Sequence, residues 1–429
     1  MDDHLGFVAN IHTLHITEFT NWNLTTLAAL GETTLPFVEK PQRASLESLE
    51  KVQRQARIQF QARVQNRRMY EPLPLVPSEG LCRLPPPSPG DVFLDLEGDP
   101  FVGEAGHEFL FGYAYLDSTG EWQYTARWAL DVEQEKRAFE ELVAFLIERW
   151  ARHPDLHVYH YAPYESGALR RLMGKHAVCE DDVDRLLRGR VFVDLYAVVR
   201  QAIRASVERY SIKDLEPFYG FTRGVPLADV GLHLRAVQLR LELGALADSG
   251  QDLSDETVSI VEGYNRDDCL SARDLRAWLE SIRRDWELQG HAIARPLAAS
   301  ADAPEALNER ELAVRALMDR LLTNVPADIE QRTPDQHARW LLAQTLEFHR
   351  REDKAVWWEF YRLAELPSED VLDEPSALGG LEYVDRIGGT KKCPIDRYRF
   401  PPQELTRPRG EVYSGAETKN RRGSGRQLG

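Results

Sequence analysis

Cysteine is scarce in this chain. Four occur in 429 residues, Cys82, Cys179, Cys269 and Cys393, far apart and without a Cys-x-x-Cys pair. That spacing supports neither a structural zinc site nor a disulfide framework, so a reducing cytoplasm is the expected compartment. No apolar run is long enough to cross a bilayer, and no membrane partner is expected. The opening MDDHLGFVANIH lacks the basic start and apolar stretch of a secretory signal. Positive charge is also in short supply: 53 Lys and Arg against 69 Asp and Glu give a formal charge of −16. This argues against attraction of the whole molecule to nucleic acid. It leaves local basic contacts open, and carboxylate metal sites themselves add negative charge. Internal repeats are absent. Gly388-Gly389-Thr390-Lys391-Lys392 lacks the G-x-x-x-x-G-K-[ST] spacing of a phosphate-binding loop.

What is present is the composition of a globular protein, 43% hydrophobic and 28% charged, with length for two or three domains. Residues 1–85 read as a helical segment. From Ser45 to Arg68 the apolar Leu49, Val52, Ala56, Phe60 and Val64 recur at three- and four-residue steps, an amphipathic helix. Its other face carries Lys51, Arg54, Arg57, Arg63, Arg67 and Arg68. A solvated face is the plain reading; phosphate contact through Arg54 and Arg57 is the sharper one. The proline-rich Leu84–Gly90 reads as a linker. Strand-like runs follow at Val92–Glu97, Glu108–Leu116 and Trp122–Leu130, with glycine-bearing turns between them, an antiparallel meander. Then come a helix at Glu133–Trp150, a strand at His157–Tyr161, a helix from near Tyr164, a strand at Val191–Leu195, a helix at Tyr196–Ala205 and a long helix at Asp255–Ile282. This alternation predicts an α/β fold, a mixed sheet flanked by helices over about 89–288. Beyond Gly290 the expectation is a mainly helical or linker region to 400, with helices at Asn308–Leu322 and Thr333–Leu366, then a flexible tail over 401–429 that ends in the basic Lys419–Gly429.

Three carboxylate positions carry the chemistry. In VFLDLEGDP, strand alternation puts Phe93, Asp95 and Glu97 on one face and Val92, Leu94 and Leu96 on the other. Covered acids two apart need a partner, and a divalent metal is a good one. In HYAPYESGALRRL, Glu165 lies four before Leu169 and seven before Leu172, so it follows the helix's apolar stripe toward the sheet. A first-turn glutamate complementing the helix dipole is the plainer reading. In EGYNRDDCLSARDL, helical phase separates two neighbours. Asp268 aligns with Val261, Tyr264, Ala272 and Leu275 on the buried face; Asp267 aligns with Gly263, Ser271 and Asp274 and is expected at the surface. Tyr264, one turn before Asp268, lies beside it. Asp95, Glu97, Glu165 and Asp268 are therefore the expected ligands of two Mg²⁺ or Mn²⁺ ions about 4 Å apart, suited to in-line phosphodiester attack. Tyr264 is expected to hydrogen-bond the attacking water.

Asp-x-Glu on a first strand, an acid opening a middle helix and Tyr-x-x-x-Asp on a late helix resemble the DEDD exonucleases with tyrosine in the last motif. Pro89–Leu288 is similar to the YprB-type ribonuclease H-like domain, through LDLEGDP, HYAPYE, VDLYAVVR, YSIKDLEPFYGF and YNRDDC. Glu165 stands where most DEDD exonucleases have Asp. Asp194 in VFVDLY reads as a cap residue before it reads as an auxiliary ligand. Lys213 in YSIKDLE is expected to position its helix or to touch a phosphate. The QARIQFQARV helix and EFHRREDKAVWWEFYRL resemble parts of large RecB-like nuclease proteins, in which an iron–sulfur-linked nuclease module precedes this region and a helicase follows it. Neither flank is in this sequence, so a fragment, a split gene product or a truncated relative is expected.

The resemblance implies a metal-dependent 3′–5′ exonuclease acting on single-stranded DNA ends, with RNA the lesser choice and a helicase or second nuclease module as partner. Two other classes stay open. One is a catalytically weak nucleic-acid-binding or scaffold module; the other is an acidic metal-binding domain without a nucleic-acid role.

Overall fold

The structure is a computed structural model. It describes residues 3–42, 44–103, 106–244, 253–297, 305–326, 328–346, 348–349, 374–391 and 393–400, with a few single positions between 360 and 403. The chain divides into two compact units. One comprises Met1–Asn10, Thr26–Thr33 and Val52–Asp302; the other comprises Ile11–Thr25, Thr34–Lys51 and Ala303–Gly429.

The first unit is built on a five-stranded mixed sheet. Strands β1 (Val92–Asp99), β2 (His107–Leu116) and β3 (Trp122–Trp128) form the expected meander; β4 (Val158–His160) and β5 (Phe192–Asp194) complete the order β3-β2-β1-β4-β5. The β1–β2 and β2–β3 pairs are antiparallel, and β1–β4 and β4–β5 are parallel. The parallel pairs need crossover connections. Helix α1 (Val132–Arg152) supplies the first, between β3 and β4. Helices α2 (Tyr164–His176) and α3 (Glu180–Arg188) supply the second, between β4 and β5. Helix α4 (Leu195–Ala202) follows β5, capped by Asp194, whose Oδ1 accepts from the amides of Tyr196 and Ala197. The cap reading of Asp194 is the one observed.

The helix expected to continue to Ala205 stops at Ala202. Ile203–Ala205 instead pairs antiparallel with Tyr70–Pro72, where β-branched Ile203 fits an extended backbone. Helices α5 (Ile212–Tyr219), α6 (Leu227–Gly244) and α7 (Asp255–Leu288) complete the unit.

Helix α7 explains why the motifs converge. Phe93 on β1 packs in one apolar cluster with Ala272, Leu275 and Leu279 on α7, together with Tyr159, Leu195 and Val198. Two residues up the strand is about 6.6 Å, and one turn back along the helix is about 5.4 Å. Moving from that cluster by one such step along each element therefore leads to Asp95 and Asp268, and by another to Glu97 and Tyr264.

Leu84–Gly90 is packed rather than free. Arg295 Nη1 donates to the carbonyls of Leu84 and Pro85, each at 3.0 Å. Arg149 donates to the carbonyls of Gly90 at 2.7 Å and Pro89 at 2.9 Å. Prolines leave carbonyls without a local partner, and two arginines supply the donors.

In the second unit, the helix Thr13–Asn21 buries Glu18, which accepts from the amides of Gln42 and Ala44. Helices Glu305–Leu322 and Pro334–Thr345 follow, the latter opened by a Thr333–Gln336 capping box. An exposed hairpin pairs Glu382–Gly389 with Pro394–Arg399. The second helix breaks after Thr345, and Phe348, His349, Phe360 and Leu363 are again helical within the expected Thr333–Leu366 span. Residues 350–359, with most of WWEFY, and the tail Lys419–Gly429 lie outside the described residues.

Candidate active site

Asp95, Glu97 and Asp268 come together at the end of β1 under α7, each offering a carboxylate oxygen within 4.8 Å of the others. Like charges this close oppose ionisation, and burial adds to it. Burial and the charges of Asp268, Glu97 and Glu165 push Asp95 well above the usual carboxylate range. Burial first, then Asp268, raises Glu97 from 4.5 to about 8, with Lys213 opposing.

Asp95 is aimed by a short relay. Asn265 Nδ2 donates to the Asp95 carboxylate at 2.7 Å and to its carbonyl at 3.0 Å, and Tyr124 on β3 donates to Asn265 Oδ1 at 2.8 Å. Gly112 on β2 makes this relay fit: a Cβ there would lie 1.5 Å from Asn265 Oδ1. Sequence reasoning missed Asn265. Its only signal was a polar residue inside YNRDDC together with one glycine in the apolar strand HEFLFGYAYL.

Glu165 stands beside the three acids rather than among them. It is buried at the start of α2, as its phase predicts, and its Oε2 has no hydrogen-bond donor. The nearest candidate is His160, whose Nδ1 lies 3.3 Å from that oxygen and 2.7 Å from the carbonyl of Ala162. His160 is buried, which disfavours its charged form, yet Glu165 outweighs that and raises its pKa. Burial raises Glu165 in turn, with His160 opposing. Between them Ala162 holds a left-handed φ of 73°, a strained conformation for a residue with a Cβ. Its amide is held by Asp194 Oδ1 at 2.9 Å. Asp194 thus both caps α4 and fixes the loop that presents Glu165.

Tyr264 lies over the cluster with two cations against its ring, Lys213 Nζ at 5.0 Å and Arg223 Cζ at 5.6 Å from the centroid. Burial, then Asp268 and Glu97, raises its phenol, so at neutral pH the hydroxyl is a donor and not a base. Lys213 donates to Asp268 Oδ2 at 3.1 Å, and Arg223 Nη2 donates to Asp268 Oδ1 at 2.6 Å. Arg223 was not singled out from the sequence. Arg54 and Arg57 lie exposed on the outer face of the helix Leu46–Gln65.

Asp267 corrects an expectation: it is buried, not a surface residue. Its Oδ2 accepts from the amide of Val225 at 2.9 Å, and a Cβ at Gly263 would lie 2.6 Å from Val225 Cγ2. The side of α7 read as polar is covered by the α5–α6 connection. Its polar groups are consumed internally, as in the Tyr219–Ser271 hydrogen bond of 2.9 Å and the Ser271–Glu216 bond of 3.0 Å.

The donor set fits divalent cations. It is all oxygen, its acids repel one another, and Glu165 presents a buried oxygen without a donor. Asp95, Glu97 and Asp268 could hold a metal ion.

A mixed sheet in this order, covered by helices and bearing acids on its first strand and last helix, is consistent with an RNase H-like α/β fold. Residues 92–280 match the family model RNase_H_2, described as RNase_H superfamily. No curated protein and no solved structure matches the chain. Among the described residues, no helix is long and apolar enough to cross a membrane.

Proposed function

We propose that this domain is a metal-dependent 3′–5′ exonuclease of the DEDD type, trimming single-stranded DNA in preference to RNA. The observation that carries the reading is the cluster of Asp95, Glu97 and Asp268 within 4.8 Å, with the donor-free oxygen of Glu165 beside it. Asp95, Glu97, Glu165 and Asp268 hold two divalent cations, Mg²⁺ or Mn²⁺. When bound, these supply Lewis-acid polarisation of the phosphate and a lowered pKa for water. The chain's own groups do the rest. Asn265 and Tyr124 fix Asp95. Tyr264, kept protonated, donates to the attacking water and orients it. Lys213 offers positive charge to a phosphate at the cleft, and Arg54 and Arg57 contact the DNA backbone further away. Neutralising those two arginines lowers the salt dependence of DNA binding if they do.

The YprB-type likeness, the RecB-like context, a helicase or second nuclease partner and a cytoplasmic location belong to the same proposal. So does the division into 1–85, 89–288, 290–400 and 401–429.

The test is nucleotide release from 3′- and 5′-labelled single-stranded DNA with Mn²⁺ or Mg²⁺, for the intact chain, Asp95→Ala and Asp268→Ala. Metal-dependent trimming from the 3′ end that both variants lose supports the proposal. Trimming that neither variant changes overturns the site assignment. A second reading, a catalytically weak nucleic-acid-binding module, is favoured by one observation: both Asp268 oxygens are engaged by Lys213 and Arg223. DNA binding without any trimming selects it.

A further inference from the structure

The two cations on Asp268 are held differently. Arg223 is fixed. Its Nε and Nη2 fork onto Glu216 at 3.1 and 2.6 Å, and its side chain is 8% exposed. Its loop is pinned to α7 by the Val225 amide on Asp267 and by the close packing of Val225 on Gly263. A bidentate arginine on a buried carboxylate, on a loop with its own anchors, has little freedom to leave.

Lys213 has no such fork. Its side chain is 31% exposed, it pairs with Asp268 at 3.1 Å, it lies against Tyr264, and its charge also reaches Asp95 and Glu97. Its ammonium is a point charge on a flexible stem, partly open to solvent. A divalent cation needs a carboxylate oxygen of Asp268. Arg223 keeps Oδ1, so Oδ2, the one Lys213 holds, is the one that becomes free.

We propose that Lys213 is an exchangeable placeholder: it neutralises Asp268 until a divalent cation takes Oδ2, and then passes to a non-bridging oxygen of the DNA phosphate beside the scissile bond. This deepens the proposed function and rests on it. No bond is made or broken in the exchange; one ammonium moves from a carboxylate to a phosphate. Its consequence is that removing the lysine shifts two affinities in opposite directions, whereas plain damage to the site weakens both.

The experiment uses the full chain, with Mn²⁺ alone as the first probe. Wild type, Asp95→Asn, Lys213→Gln and Lys213→Arg are titrated with Mn²⁺ by calorimetry in the absence of DNA. The same proteins are then assayed on single-stranded DNA at saturating Mn²⁺ over a range of salt. Lys213→Gln is expected to bind Mn²⁺ on the order of tenfold more tightly, since a competing charge is gone. Its KM for DNA rises, and the salt dependence of KM falls by about one phosphate contact. Lys213→Arg keeps the KM near that of wild type. If Lys213→Gln binds Mn²⁺ no more tightly, or its KM does not rise, the exchange is overturned while the metal site stands. If wild type binds no Mn²⁺, or Asp95→Asn binds it equally well, the metal reading itself falls and the exchange with it.

Discussion

Two buried acid clusters lie within a few residues of each other in this domain, and they are built on opposite principles. Gly98, next to Glu97, pairs with Glu108 in the β1–β2 register, so one acid of each cluster lies on the same strand pair. In the second cluster the oxygens have donors. Glu108 accepts from Tyr164 at 2.9 and 3.1 Å and pairs with Arg171. Glu135 accepts from the Glu108 amide at 2.7 Å, Lys175 at 2.6 Å and His176 at 2.8 Å. These contacts tie α2 to the sheet and to α1. In the first cluster Asp95, Glu97 and Asp268 face one another, Arg223 and Lys213 pair with Asp268, and Glu165 keeps an oxygen without a donor. Buried charge that is internally matched holds a fold together. Buried charge left under-compensated stores repulsion that a bound cation can relieve.

The comparison can be broken most forcefully at Glu135. Glu135→Ala leaves Lys175 and His176 facing a vacated acid and should cost about 3–5 kcal/mol of stability, read by urea unfolding. A loss below about 1 kcal/mol would mean the matched cluster is not structural. At the other cluster, Asp95→Asn should reduce metal-dependent trimming at least about a hundredfold while the metal-free protein melts no lower than wild type. A variant that melts markedly lower would show that Asp95 is structural instead.

A pH series sharpens the contrast. Folding raises the Glu97 carboxyl from 4.5 to about 8, so the folded state binds that proton more tightly than the unfolded one. The resulting stability is present at low pH and is lost as pH rises through that window. Glu97→Gln should flatten the metal-free profile between pH 5 and pH 8, and Mn²⁺ should flatten it for wild type. A steep slope that persists in the variant would assign the effect to other groups. The smallest effect expected is at the relay to Asp95: Tyr124→Phe leaves Asn265 Oδ1 without its donor and should cost about 1 kcal/mol, with a drop in trimming rate but an unchanged KM.

Much of this was legible because periodicity is local. Alternation along VFLDLEGDP separated Phe93, Asp95 and Glu97 from the apolar face, and helical phase pointed Glu165 and Asp268 inward. The same reasoning misjudged Asp267. A polar stripe reads alike whether it meets water or a covering loop with donors of its own, and α6, which follows that loop, was not foreseen. Asn265 and Arg223 escaped notice for a related reason: their roles depend on what lies across from them, at Gly112 and Tyr124 in one case and Glu216 in the other.

By itself the sequence determined the five strands of the main sheet, several of the helices around them and the inward phase of Asp95, Glu97, Glu165 and Asp268, because these follow from spacing along one element. Only the tertiary structure decided which acids meet, which of them are matched by Arg171, Lys175 and His176, and which one is held by Arg223 and Lys213. Those pairings join residues far apart in the chain, and charge compensation is set by distance in space, not by separation in sequence.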